Sequence, residues 1–149
     1  MIDKINFRKW SKSKSDIDFI IPMLVKHYQE CIEDFDEKPD FRESNTMAFM
    51  NNDNLKIMII EVNENIVGFL VYFQYKHPVY NRIEIIIRDV YIEKPFRRFG
   101  ITSDCIKYFS NIYKDNNIFV DLLFDDSRAD KFWRKNKFNP YQQRYKLEA

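Results

Sequence analysis

Two arginines and a glycine separate an apolar strand pattern from an amphipathic helical pattern in the second half of the chain. Arg97, Arg98 and Gly100 lie between a strand that ends near Ile92 and the helix that follows. The first turn of a helix carries unpaired N–H groups and the positive end of the helix dipole, so it favours an anion. Because the 149 residues include only two glycines, we expect Gly100 to lie where a side chain does not fit. The pattern predicts a binding site for phosphate groups.

Composition indicates a folded globule of one domain, residues 1–149. Hydrophobic residues make up 45% of the chain and aromatic residues 17%, enough for a hydrophobic core. The formal net charge of +1 argues against a general polyanion binder. Two cysteines and two histidines lie far apart without metal-ligand spacing, so we expect no metal. Since we find no signal-peptide core and no apolar run of membrane-spanning length, we expect a cytoplasmic protein.

Hydrophobic periodicity predicts an α/β (α+β) fold. Strand patterns alternate or run apolar, whereas helical patterns repeat every three to four residues. The predicted strands are Ile5–Trp10, Leu55–Val62, Ile66–Tyr75, Arg82–Ile92, Ile118–Phe124 and Tyr141–Leu147, and the predicted helices are one that Ser15 caps, Asn45–Met50, one that follows Gly100, and Ala129–Asn136. The order β-α-α-β-β-β-α-β-α-β places an antiparallel meander before a strand–helix–strand unit. The sheet is therefore predicted to be mixed, mostly antiparallel and flanked by helices.

Charged residues cluster in two stretches of the chain. From Glu30 to Asp40, six acidic residues accompany one lysine, and from Arg128 to Lys146, seven basic residues accompany one aspartate. Both stretches are compatible with solvated surface. The functional alternative is an acidic entrance that attracts a cationic partner and a basic flank that attracts an anionic one.

The arginine turn and a second motif downstream resemble the GNAT superfamily of N-acetyltransferases, over nearly the whole chain. The acyl-CoA signature of that family, Arg/Gln-x-x-Gly-x-Gly/Ala, is matched by Arg97-Arg98-Phe99-Gly100-Ile101-Thr102, which follows Asp89-Val90-Tyr91-Ile92. Downstream, Asp126–Phe138 resembles the family motif Asn-x-x-Ala-x-x-Phe-Tyr-x-Lys-x-Gly-Phe. Gly68 lies where the family often has a glycine. Because two motifs occur in the right order on the right predicted elements, the resemblance implies the GNAT-type sheet.

The resemblance also implies an acetyl-CoA site between the fourth and fifth strands of the family fold. Backbone N–H groups from Arg98 to Thr102 would bind the pyrophosphate, and both arginines would add positive charge. The N–H of Ile92 would face the thioester carbonyl, and Trp133 would pack against pantetheine. The implied cofactor-binding residues are Ile92, Arg97, Arg98, Phe99, Gly100, Ile101, Thr102 and Trp133.

Acetyl transfer to an amine requires a group that accepts a proton. A free alkylamine with a pKa near ~10.4 is mostly charged at neutral pH. The resemblance implies a carboxylate on strand four, and Asp89 is the best match. Asp89 could equally be a structural residue that bonds the end of the sheet. Glu84 is the reserve candidate.

The general acid is where the sequence departs from the family. Trp133 occupies the position of the usual tyrosine, and an indole N–H is not a useful proton donor. Tyr91, Tyr141, Tyr145 or solvent could replace it, or the thiolate could leave unprotonated. Lys137 replaces the glycine before Phe138, which argues against a left-handed turn there.

Cys105 and His27 are interpreted as structural residues. Cys105 lies on the apolar stripe of the helix after Gly100, which predicts a buried thiol. His27 lies in a helix without a visible partner residue, so packing at the surface or in the core is the interpretation.

Together these features predict direct transfer of an acetyl group from acetyl-CoA to a primary amine. The acceptor would be a small cationic amine, such as a polyamine or aminoglycoside-like compound, or a lysine side chain. Glu33, Asp34 and Asp36 are the candidate acceptor-binding residues. Trp133 favours an alternative, a catalytically weak or inactive GNAT-fold module that binds acyl-CoA or has a regulatory role. Nucleic acid and membrane are not expected partners, whereas the resemblance implies a homodimer.

Overall fold

Five β-strands form one sheet, in the order in which they occur along the chain. The computed structural model describes residues 2–31, 48–122 and 127–148. The strands are β1 (Ile5–Lys9), β2 (Leu55–Val62), β3 (Asn65–Lys76), β4 (Ile83–Ile92) and β5 (Asn117–Val120), and the helices are α1 (Lys14–Cys31), α2 (Ile101–Ile112) and α3 (Ser127–Lys135). Strands β1 to β4 pair antiparallel, and β5 pairs parallel to β4. The predicted mixed, mostly antiparallel sheet flanked by helices is confirmed.

Each face of the sheet carries its own apolar cluster. Phe109 of α2 and Trp133 of α3 belong to the cluster on one face, and Ile20 of α1 belongs to the cluster on the other. Burial of such large side chains is the main favourable term in folding. Near the end of β4, Tyr91 packs in the α1 cluster and Ile92 in the α2 cluster. The carboxyl end of β4 is therefore fixed from both faces.

Arg88 forms a β-bulge in β4. Val71 of β3 pairs with Asp89, and the next residue, Tyr72, pairs with Ile87, so Arg88 has no opposite residue. In a regular strand Ile87 and Asp89 would lie on the same face, and a bulge changes this alternation. Ile87 packs in the cluster beneath α2 and α3, whereas Asp89 contacts α1. The bulge thus directs a carboxylate toward α1.

The fifth strand pairs with only the first half of β4. The parallel ladder runs from the pair Glu84–Asn117 to the pair Ile87–Val120. Within the described ranges, the segment Arg88–Ile92 has no strand partner on this edge. Over the described residues, the backbone of Arg88–Ile92 is therefore free on this edge of β4, and we call the space beside it the cleft.

The first helix begins one residue before the predicted cap. Helix α1 starts at Lys14, and Ser13 caps it, because the Ser13 Oγ accepts the N–H of Asp16 at 3.3 Å. The assignment of Ser15 as the cap is therefore wrong. Arg8 of β1 holds the Asp16 carboxylate through two hydrogen bonds of 2.8 and 3.0 Å. This ion pair fastens the start of α1 to the sheet.

The predicted strand Tyr141–Leu147 is wrong, because this segment forms neither strand nor helix. A strand requires a neighbour for its backbone hydrogen bonds, and here the contacts are made by side chains. Arg144 reaches Asp121 at 3.2 Å, and the ring of Tyr141 lies 5.3 Å from that of Phe119. The C-terminal segment therefore follows β5 without joining the sheet.

Two other elements are shorter than predicted over the described residues. Strand β5 ends at Val120, and its side chains are half-buried at most, because β5 lies at the edge of the sheet. The rest of the predicted strand extends past residue 122, and 123–126 lie outside the described ranges. Of the helix predicted at Asn45–Met50, residues 48–51 are helical, and the earlier residues are not described.

Candidate active site

A short turn connects the end of β4 to α2. Lys94–Phe96 form one turn of 3-10 helix, after which Arg98 and Gly100 adopt left-handed φ angles of 71° and 75°. Gly100 is the N-cap of α2, and glycine adopts this conformation without strain. A Cβ at Gly100 would meet no atom within 4 Å. The position therefore requires glycine for its φ angle, not for lack of space as expected, and open space lies before the turn.

The amides of this turn form a set of unpaired donors. In the described part of the chain, the N–H groups of residues 98–103 have no hydrogen-bond acceptor. The first paired amide is that of Asp104, which donates to the Gly100 carbonyl oxygen at 3.0 Å. Consecutive free amides at a helix N-terminus bind phosphate oxygens well, and Arg98 in the same turn adds positive charge. The turn fits a pyrophosphate.

Arg97 braces the end of β4 against α1. Its Nε donates to the carbonyl oxygen of Ile92 at 2.8 Å, and its Nη2 donates to the Glu30 carboxylate at 2.9 Å. The guanidinium also lies 5.4 Å from the ring centre of Tyr91. Arg97 therefore positions Ile92, whereas the Arg98 side chain has no acceptor among the described residues.

The backbone N–H of Ile92 faces the cleft. Ile92 lies opposite Gly68, and the N–H of the next residue, Glu93, donates to Val67 at 2.8 Å. Successive residues of an antiparallel strand direct their backbone groups to opposite sides. The N–H of Ile92 therefore points away from β3, toward the β5 side of β4, where the β4–β5 pairing has already ended. The carbonyl group of Ile92 points to the same side, because its oxygen accepts a hydrogen bond from Arg97 and not from β3.

Gly68 allows the close approach of β3 and β4 at this point. A Cβ at Gly68 would overlap the carbonyl oxygen of Tyr91 and would lie 3.1 Å from the Cα of Ile92. Any side chain here would displace the end of β4. Gly68 thus fixes the place of the Ile92 N–H.

Asp89 lies at the centre of a hydrogen-bonded cluster between β4 and α1. Its Oδ1 is 3.2 Å from His27 Nε2, and its Oδ2 accepts the Tyr28 hydroxyl at 3.2 Å. Arg88 Nε is 4.0 Å from the same Oδ2. Asp89 is 9% exposed. Burial, followed by the Asp89 charge, raises the pKa of Tyr28 to about 12, so Tyr28 stays a hydrogen-bond donor.

The sequence interpretation of His27 as a residue without a partner is wrong. His27 and Asp89 are 62 residues apart in the chain, and the bulge at Arg88 brings them together. One signal was available in the sequence. His27 continues at helical spacing the buried stripe of Ile20 and Leu24, and a polar residue on such a stripe requires a buried partner.

One family accounts for this geometry. The family model of the acetyltransferase (GNAT) family matches residues 21–138. The chain belongs to the GNAT acetyltransferase family. GNAT acetyltransferases use acetyl-CoA, and the cleft between β4 and β5 beside a turn of free amides fits such a donor.

Solved structures share the GNAT fold of this chain at low sequence identity. A possible acetyltransferase from Clostridium difficile 630 has a TM-score of 0.80 and 18% identity, with 99% of each chain covered. An aminoglycoside acetyltransferase from an uncultured soil metagenomic sample, in complex with sisomicin, has a TM-score of 0.74 and 16% identity, covering 97% of this chain and 95% of that one. The ribosomal-protein-alanine N-acetyltransferase of Brucella melitensis biovar Abortus 2308 has a TM-score of 0.76 and 13% identity, covering 98% and 100%. None of the curated proteins matches the chain.

Trp133 lies in the core beneath the GNAT sheet. It is 6% exposed, and its ring centre is 5.1 Å from those of both Phe132 and Phe138. Lys137 adopts a left-handed φ of 72°, and the next amide donates to the Trp133 carbonyl at 2.9 Å. The expectation that Lys137 opposes a left-handed turn is therefore wrong, because the helix ends in this turn without a glycine. Contact of Trp133 with pantetheine stays a prediction.

Of the three candidate tyrosines, only Tyr91 lies at the end of β4. Its hydroxyl donates to Glu93 at 3.3 Å, and burial raises its pKa to about 12. Tyr141 and Tyr145 are 76% and 84% exposed in the C-terminal segment. The structure therefore brings no second tyrosine from this set to the GNAT cleft.

Glu84 lies away from the Asp89 cluster, at the beginning of β4. It accepts a hydrogen bond from Tyr75 at 2.8 Å and pairs with Arg82 at 3.2 Å. The Tyr75 hydrogen bond, and then Arg82, lower the pKa of this carboxyl group. Glu84 therefore fits a structural role.

The remaining predicted residues are placed as follows. Phe99 is 63% exposed beside the amide turn, whereas Ile101 is 1% exposed and Thr102 is half-buried at the start of α2. Cys105 is completely buried, which raises its pKa to about 12, as expected for a core thiol. Glu33, Asp34 and Asp36 lie outside the described residues.

No group of three or more His, Cys, Asp or Glu side chains in the described ranges could hold a metal ion. None of the described helices is both long and apolar enough to cross a membrane.

Proposed function

We propose that this protein is an N-acetyltransferase that transfers the acetyl group of acetyl-CoA directly to a primary amine. The observation that carries the proposal is that the described β4–β5 pairing ends at Ile87–Val120, together with the free amides of residues 98–103. The free edge of β4 offers backbone groups to an extended chain, and the turn supplies donors for phosphate oxygens. Family membership supports acetyl transfer as the reaction.

The proposed donor site uses the turn and the open edge of β4. The amides from Arg98 to Thr102 bind the pyrophosphate, and the Arg98 side chain adds charge. The Ile92 N–H donates to the thioester oxygen and stabilises the negative charge that develops there. Arg97 contributes indirectly, because its Nε donates to the Ile92 carbonyl oxygen at 2.8 Å and so fixes the end of β4. Phe99, Ile101 and Trp133 shape the walls of the site.

The proposed reaction needs a proton acceptor but no protein acid. The cluster around Asp89 receives the proton of the amine, since it lies on the same strand as Ile92. The CoA thiol is acidic enough to leave as thiolate. The buried position of Trp133 and the occupied hydroxyl of Tyr91 are compatible with this route.

The proposed acceptor is a small cationic amine or a lysine side chain. Two structural relatives support an amine acceptor, either a small molecule or a protein: an aminoglycoside acetyltransferase and a ribosomal-protein-alanine N-acetyltransferase. The carboxylates of Glu33, Asp34 and Asp36 would attract it. A triple variant with Gln and Asn at these positions should raise KM for the amine and leave KM for acetyl-CoA unchanged. An unchanged amine KM would refute the role of this acidic stretch.

The assay for the function is release of thiol from acetyl-CoA in the presence of a polyamine, an aminoglycoside and a lysine peptide. Turnover with at least one amine, and one added acetyl group on that amine by mass spectrometry, is the expected result. CoA affinity measured in parallel by calorimetry shows whether the donor site is intact.

One observation favours a second candidate, an acyl-CoA-binding or regulatory module. Trp133 occupies the position of the family tyrosine, is buried, and has no hydroxyl group that could donate a proton. Tight CoA binding with no turnover on any amine would select this candidate. The variant Trp133→Tyr separates the two further, because only a slow enzyme should gain rate from it. Cytoplasmic location and a homodimeric state also belong to the proposal.

A further inference from the structure

We propose that His27 is the general base of this transferase and that Asp89 positions it. The inference rests on the acetyl transfer proposed above and names the proton acceptor within that site. His27 Nε2 lies 3.2 Å from Asp89 Oδ1, and the two residues come from α1 and β4.

Asp89 is poorly suited to accept the proton itself. Both of its carboxylate oxygens already accept hydrogen bonds, from His27 and from the Tyr28 hydroxyl. Arg88 lies 4.0 Å away and adds positive charge. These two hydrogen bonds occupy one lone pair of each oxygen and hold the carboxylate in place. Asp89 is also 9% exposed, so an amine has little access to it.

The hydrogen bond to Asp89 fixes the tautomer of neutral His27. An ionised carboxylate only accepts hydrogen bonds, so Nε2 must carry the proton. Nδ1 then keeps its lone pair, and within the described residues no group donates to it. The imidazole side chain is 17% exposed, so the ring is not sealed in the core. A carboxylate that orients one ring nitrogen while the other takes a proton is an established arrangement for a base.

Aromatic side chains hold the imidazole on the α1 face of β3 and β4, near the end of β4. Its ring centre lies 5.2 Å from that of Tyr28, 6.4 Å from Phe69 and 5.9 Å from Tyr91. Tyr91 directly precedes Ile92, whose N–H faces the cleft. Asp89 and Ile92 are three residues apart, about 10 Å along a strand. An amine that attacks a thioester beside Ile92 would transfer its proton to Nδ1 directly or through water.

Charged and titratable groups lie close to His27 on α1 and β4. Among the described residues, Asp89 and Tyr91 of β4 and Tyr28 of α1 contact the imidazole, Arg88 lies beside Asp89, and β3 contributes the apolar ring of Phe69. The neighbouring charges on α1 are neutralised by the ion pairs Lys26–Glu93 and Glu30–Arg97. Protonation of Nδ1 removes the lone pair, so acid should abolish transfer to a charged amine.

The proposed step balances in protons and electrons. Nδ1 takes one proton from the ammonium group, and the freed nitrogen lone pair forms the C–N bond with the thioester carbon. The carbonyl electron pair moves onto oxygen, opposite the Ile92 N–H. Its return breaks the C–S bond, and that electron pair leaves on sulfur. The nitrogen loses its second proton to water, and the imidazolium proton passes to the thiolate or to solvent.

The test compares two acceptors that differ in whether they need a base. One is the primary amine of the panel with the highest kcat/KM, and the other is its aminooxy analogue, which is uncharged at neutral pH. His27→Gln should lower kcat/KM for the amine by about 100-fold or more, the range of general base catalysis. Its effect on the aminooxy analogue should be less than threefold, and CoA affinity should not change. His77→Gln, which removes the other histidine of the chain, should behave as wild type.

A second readout tests the positioning role of Asp89. In a His77→Gln background one histidine remains, so its 15N chemical shifts report the tautomer of His27 directly. The proton should lie on Nε2 in this background and move toward Nδ1 with Asp89→Asn, together with a loss of kcat for the amine. A merely structural role for Asp89 predicts no change of tautomer.

Three outcomes would overturn the proposal. If His27→Gln lowered kcat/KM equally for the amine and the aminooxy analogue, the loss would indicate a structural defect. If the variant kept the wild-type rate and the acid limb of its pH profile, the base would be another group. Both leave N-acetyl transfer itself intact. If the wild-type protein binds CoA but acetylates no acceptor, the proposed function and the base assignment fail together.

Discussion

Gly68 and Gly100 are the only glycines of the chain, and they serve the site by different physical means. Gly68 faces the backbone of β4 so closely that a Cβ would overlap the Tyr91 carbonyl oxygen. Gly100 has open space around it but requires a left-handed φ of 75°. The first sets the position of the Ile92 N–H, and the second sets the direction of the free amides in the turn.

At Gly68, substitution by alanine should destabilise the protein. The added Cβ must displace the end of β4, and overpacking of this kind costs about 1–3 kcal/mol. Urea unfolding of Gly68→Ala measures the loss, and kcat should fall as well because the Ile92 N–H moves. Gly100→Ala is the matched control, since its cost arises from φ alone and is about 1 kcal/mol. A Gly68→Ala protein as stable as wild type would show that the strand contact is looser than described.

At Lys137, glycine should stabilise the protein. Lys137 ends α3 with a φ of 72°, a conformation that costs a residue with a Cβ about 1 kcal/mol more than glycine. Lys137→Gly should therefore raise the melting temperature. The control Lys137→Ala keeps the strained φ and should give no gain. Equal melting temperatures for the two variants would mean that the turn does not persist in solution.

At the scale of elements, the ion pair of Arg8 and Asp16 fastens α1 to β1. The hydrogen bonds from Arg8 lower the pKa of the Asp16 carboxyl group below its usual value. A group with a lowered folded-state pKa stabilises the fold above its unfolded pKa of about 3.9, and this contribution disappears as pH falls through the folded value. The position of α1, and with it of His27, therefore depends on this pair.

Asp16→Asn should lower the free energy of unfolding near pH 7 by about 1–3 kcal/mol, because the Arg8 bonds lose their charge. The difference between variant and wild type should shrink as pH falls below about 4. Urea unfolding at several pH values measures both effects. The exposed residue Asp18, in the same turn of α1, supplies the control Asp18→Asn. A constant difference from pH 7 to pH 3 would contradict the sign of the Asp16 shift.

The elements themselves were largely readable from the sequence, because their apolar periodicity is strong. Strands β1 to β4 and helix α2 lie within one or two residues of their predictions. Strand pairing was not readable in the same way. Tyr141–Leu147 alternates like a strand yet joins no sheet in the structure, because pairing depends on a free neighbouring edge.

The candidate site was readable only where it is local in sequence. The turn from Arg97 to Thr102 is contiguous, and its motif predicts the free amides. The expected lack of space at Gly100 was wrong, because glycine is required there for its φ angle. The pair His27–Asp89 joins residues 62 positions apart, and their meeting depends on the extra residue at Arg88. No pattern in one sequence reveals a bulge that exchanges the faces of a strand.

At the scale of the whole molecule, two opposed features create the site. The helices on the two faces hold the end of β4, and over the described residues β5 pairs only with its first half. A donor that enters the cleft therefore meets the Ile92 N–H from one side and the Asp89 cluster from the α1 face. We therefore claim that both groups converge on one bound donor.

A crystal structure of the protein with CoA bound tests this claim most directly. The account predicts pyrophosphate oxygens within about 3 Å of amide nitrogens from Arg98 to Thr102. It also predicts that pantetheine lies between β4 and β5 and that its sulfur lies beside Ile92. An amine next to this sulfur should be able to reach His27 from the α1 face of the sheet. CoA bound elsewhere, or a cleft closed by pairing of the second half of β4, would contradict it.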